Sequence, residues 1–80
     1  MDAMNVLYDS KHFYMAEFPG WEGIELVDKS AGRAGFLEGD VALKLRASML
    51  HLFSDSPTVE SVDEFLEAYD ALLTNPVVLH

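Results

Sequence analysis

The chain has 80 residues, no cysteine and a formal net charge of −9. That length makes one domain with one core, and the missing thiols exclude disulfides, thiolate catalysis and cysteine-ligated metal centres. All five Lys and Arg fall within the first 46 positions, so the surface repels phosphate backbones and anionic headgroups, and neither direct nucleic-acid binding nor membrane binding is expected.

The first half reads as short strands. Residues 4–8 are a brief apolar run, and Asp9-Ser10-Lys11 supplies turn chemistry. Residues 12–18 are dense in aromatics; Phe13 and Met15 point one way, Tyr14, Ala16 and Phe18 the other, and two apolar sides imply a central strand. Pro19-Gly20-Trp21-Glu22-Gly23 interrupts. A third strand is expected over 24–29, a turn at Ser30-Ala31-Gly32-Arg33, and a short fourth strand over 34–37. Links this short leave no room for crossovers, so the strands form an antiparallel meander.

Helices follow. Asp40 is the expected N-cap of one running over 41–53, with its carboxylate accepting from the free N–H groups of the first turn. Val41, Ala42, Leu45, Met49, Leu52 and Phe53 form a stripe that should face the sheet. Leu43, Ala47 and Leu50 form a second stripe on nearly the opposite side. Either the next helix covers it or it is a contact with a partner, a second copy of the chain included. Thr58 or Ser61 should cap that next helix, over 59–73, and Ser61 with Glu64 has capping-box spacing.

On that helix Val62, Phe65, Leu66, Tyr69, Leu72 and Leu73 line one side, and Glu60, Asp63, Glu64, Glu67 and Asp70 the other, with no basic residue among them. Acids three or four apart repel by about 0.2–0.5 kcal/mol per pair, and Asp70 sits where the helix dipole disfavours negative charge. The face is either a solvated surface or an electrostatic docking platform for a basic protein.

Catalytic templates are missing: there is no P-loop, no nucleophile elbow, and no setting that would bury a carboxylate pair. His12, His51 and His80 are too scattered to pair as metal ligands on one helix, and no cofactor is expected. Trp21, on its glycine-rich loop, is either a binding anchor or a lid folded over the sheet's edge. With Tyr14 and His12 it could instead line a small-ligand pocket.

Several stretches resemble a family of short, uncharacterised proteobacterial proteins grouped as a domain of unknown function. They are Gly23-Ile24-Glu25-Leu26-Val27-Asp28-Lys29, Phe36-Leu37-Glu38-Gly39-Asp40, Val62-Asp63-Glu64-Phe65-Leu66 with Asp70-Ala71-Leu72-Leu73, and the ending Pro76-Val77-Val78-Leu79-His80. The resemblance implies a bacterial cytoplasmic protein and brings no activity or catalytic residue with it. The expectation is a two-layer α+β domain, a meander of three to four strands followed by an α-hairpin. It should act by binding and not by catalysis, as a protein-interaction or regulatory module.

Overall fold

The computed structural model describes residues 5–18, 20 and 23–76. Four strands run in chain order as an antiparallel meander: β1 (Asn5–Asp9), β2 (Phe13–Phe18), β3 (Gly23–Asp28) and β4 (Arg33–Glu38). Two helices follow, α1 (Gly39–Phe53) and α2 (Val59–Glu67), then a 3-10 turn at Asp70–Leu72 and a two-residue strand β5 (Asn75–Pro76) on the free edge of β4. This is the expected α+β architecture.

Alternation places Phe13, Met15, Ile24, Leu26 and Leu37 on one sheet face, where they pack with Ala42, Leu45 and Met49 of α1 and Val62 and Leu66 of α2. Register holds the face together: Met15 lies opposite Leu26, and Leu26 opposite Gly35. β1 departs from simple alternation. Val6 faces Ala16 and Tyr8 faces Met15, leaving Leu7 as an extra residue in a bulge. The bulge lets Leu7 and Tyr8 both pack on the core, where strict period-two geometry would send one outward.

β4 passes into α1 without a loop because Gly39 takes φ +64°, a value that costs a glycine little. The N-cap is therefore Glu38, whose side chain makes no capping bond, and the expected cap Asp40 lies inside the first turn. There its charge favours the helix dipole instead. In α2, Thr58 is the N-cap and its partner is Ser61: Ser61 N–H donates to Thr58 Oγ1 at 3.1 Å and Thr58 N–H to Ser61 Oγ at 3.0 Å. The box thus pairs Thr58 with Ser61, and the expected Ser61–Glu64 box does not form.

The expectation of a single helix over 59–73 also fails. The α-helix stops at Glu67, and the tightened turn at 70–72 re-aims the chain so that Leu73 is buried while Leu72 stays exposed. No basic residue stabilises the last turn of α2, so nothing there opposes the break.

Candidate docking surface on the helical layer

The outer side of α1 is apolar and open. Leu43 and Leu50 are 63% and 66% exposed, and Ala47 between them is exposed as well. The explanation in which the second helix covers this stripe is therefore corrected. Val62 and Leu66 of α2 are drawn into the sheet-facing core, and Phe65 reaches only a groove of about 390 Å³ shared with Ala47, Ser48, His51 and Leu52. Of the inner stripe expected on α1, Ala42, Leu45 and Met49 are buried, whereas Val41 and Phe53 at its ends stay exposed.

The acidic platform is smaller than the sequence suggests. Glu60, Glu64 and Glu67 are exposed. Asp63 is not: it is 7% exposed and turned toward the sheet. There it accepts hydrogen bonds from Tyr8 Oη and Ser10 Oγ, each at 2.9 Å. Burial, then the bond to Asp63, pushes the Tyr8 phenol above its ordinary value. Asp70 leaves the face too, because it belongs to the 3-10 turn beyond the helix. Its carboxyl is pushed above the usual carboxylate range by burial first, then by the hydrogen bond and charge of Asp28 and the charge of Glu67, with Arg33 opposing.

Among the described residues the ion pairs are Lys29–Asp9 at 2.6 Å and Arg46–Glu17. Neither engages a carboxylate of α2, so no cation among the described residues forms an ion pair with the three outer glutamates. The helical layer thus carries an exposed apolar stripe on α1 and three exposed glutamates on α2. Such a combination offers desolvation at its centre and charge selection at its rim.

Of the alternative ligand pocket, His12 and Tyr14 fall among the described residues. Trp21 lies outside the described residues. His12 Nδ1 sits 2.7 Å from Ser30 Oγ beside a cavity of about 160 Å³, lined also by Phe13, Asp28, Glu67 and Asp70 but not by Tyr14. Tyr14 points to the sheet face away from Phe13. Among the described residues no group of three His, Asp or Glu side chains is arranged to hold a metal ion, and no helix is long and apolar enough to cross a membrane.

Sequence reasoning missed the inward carboxylates of Asp28 and Asp63. Asp28 was legible, since it continues the inward phase of Ile24 and Leu26. Asp63 was less so, sitting at the border between the apolar and polar sides of α2.

Fold and surface define a small acidic α+β domain with an open helical layer. The chain belongs to the family described as "Protein of unknown function (DUF3567)", whose model matches residues 4–80. It is 38% identical to Protein BTH_I0359 of Burkholderia thailandensis over 85 residues, covering 96% of this chain and 100% of the relative. No solved structure matches it.

Proposed function

We propose that this chain is a protein-interaction module of the bacterial cytoplasm. It binds a basic partner through the Leu43–Ala47–Leu50 stripe of α1 and the Glu60, Glu64 and Glu67 strip of α2. The observation that carries the reading is the exposure of Leu43 and Leu50 after folding. Two leucines kept in water on one helix face cost solubility and give the isolated domain nothing, whereas a partner gains about 1.5–3 kcal/mol from burying each. The anionic strip then selects a cationic rim and speeds encounter.

A second copy of the chain is the competing occupant, because Leu43 and Leu50 lie nearly symmetrically about Ala47 and so match themselves across a two-fold axis. Salt separates the two. Attraction to a basic partner weakens as ionic strength rises, whereas self-association of chains carrying −9 each strengthens as repulsion is screened.

The test is affinity capture from the native cell at roughly 50 and 500 mM salt, with wild type, Glu64→Lys with Glu67→Lys, and Leu43→Glu with Leu50→Glu. The docking reading requires a partner lost at high salt and lost with either double substitution. Capture indifferent to salt and to both variants overturns it.

A further inference from the structure

The segment after α2 is fastened to the sheet at three places. Leu73, 1% exposed, lies against Gly35, where an added Cβ would stand 2.8 Å from the Leu72 carbonyl oxygen and 3.0 Å from Leu73 Cδ2. β5 pairs with β4 through Ala34 opposite Asn75 and Arg33 opposite Pro76, a weak ladder since proline brings no N–H. At the third, Asp70 and Asp28 line one cavity of about 160 Å³.

We infer that Asp70–Pro76 is a strap held on the β4 edge by one proton shared between Asp28 and Asp70, and that the strap loosens when this proton leaves. Asp28 is 5% exposed, and its Oδ1 already accepts the Ala31 N–H at 3.0 Å. Asp70 Oδ1 is buried without a satisfied hydrogen bond among the described residues, and its carboxyl lines the same cavity as Asp28. A buried oxygen in that state is costly, and two ionised carboxylates side by side make it costlier. A carboxyl–carboxylate pair removes both penalties, because the protonated partner becomes a donor.

The other groups facing Asp70 set the balance. Glu67 of α2 adds negative charge and Arg33 of β4 opposes it; His12, from the β1–β2 turn, lines the same cavity. Lys29 is held elsewhere, by Asp9 and the Ser10 carbonyl. The raised carboxyl pKa of Asp70 agrees with retention of the proton above the usual carboxylate range. Release of the strap uncovers the edge of β4, whose backbone groups can then pair with an extended segment.

Amide hydrogen exchange at Leu72 and Leu73 in the full chain, corrected for intrinsic rates, tests this from about pH 5 to about pH 8. Protection there should lie below that of Met15 and Leu26 and fall up to about tenfold per pH unit above the titration of Asp70. Asp70→Asn puts an amide donor beside Asp28, so this variant should hold its protection at every pH. Carboxyl carbon shifts should show Asp70 titrating above the usual carboxylate range. The inference fails if wild-type protection at Leu72 and Leu73 is independent of pH, if Asp70→Asn keeps the wild-type slope, or if both amides are protected as fully as the core. It also fails if about 5 mM calcium restores protection at high pH, because a cation would then be the bridge.

Discussion

Tyr8 Oη donates a 2.9 Å hydrogen bond to Asp63, joining the bulged edge strand to the second helix across 55 positions of sequence. Ser10 Oγ donates to the same carboxylate oxygen at 2.9 Å and also accepts the Phe13 N–H at 3.0 Å. The β1–β2 turn and α2 are therefore fixed to each other by one inward acid. Removing Asp63 leaves Tyr8 Oη only the Val59 carbonyl at 3.3 Å and Ser10 Oγ only the Phe13 carbonyl at 3.5 Å, so Asp63→Ala should cost about 1–2 kcal/mol, and Tyr8→Phe about 1 kcal/mol. In urea unfolding the double variant should lose less than the sum of the two, as partners in one network do. A strictly additive result would mean that the bond contributes nothing.

Leu43 and Leu50 carry the opposite expectation. They are exposed in the isolated fold, so Leu43→Glu with Leu50→Glu should leave stability within roughly 1 kcal/mol of wild type. Any loss of capture by that variant then reports the surface and not unfolding. Sedimentation of wild type at low and high salt identifies the occupant: growth of a dimer with salt selects the second copy, and a monomer at both leaves a basic partner.

The sequence reveals what depends on local pattern and conceals what depends on long-range agreement. β2 and β3 are readable because Phe13, Met15, Ile24 and Leu26 alternate without interruption. The bulge at Leu7 is not, since its cause lies across the ladder at Ala16 and Met15. Helical spacing alone puts Asp63 and Asp70 with the outer acids, and it counts them correctly as one hundred-degree steps around a continuous rod. It cannot know that the rod ends at Glu67, or that Tyr8 and Ser10 offer donors that make an inward Asp63 satisfied. The stripe at Leu43 and Leu50 was visible, whereas which of its two explanations applies depended on where α2 lies.

Gly35 should be intolerant of any side chain. A methyl there would press on the Leu72 carbonyl oxygen and on Leu73, and backbone cannot move aside as a flexible side-chain tip can. Gly35→Ala is expected to cost about 1–3 kcal/mol through overpacking. The loss should appear first as faster exchange of Leu72 and Leu73. Gly32, with open space where its Cβ would be, gives a contrast: Gly32→Ala is strained only by its φ of +67° and should leave the strap amides unchanged.

Asp70 also sets the direction of one part of the stability–pH curve. Asp70 has a folded-state pKa above its unfolded value, so its contribution is fully present below the ordinary carboxylate range and fades as pH rises through the raised value. The comparison with Asp70→Asn isolates this contribution from the rest of the curve. Relative to wild type, that variant should gain stability steadily from mildly acidic to mildly alkaline pH, reaching on the order of 1 kcal/mol, about one hydrogen bond. Denaturant midpoints of the two proteins, measured in parallel across that range, should diverge upward. Parallel curves would mean that Asp70 is ionised in both folded and unfolded chains, with its buried oxygen satisfied by something other than Asp28.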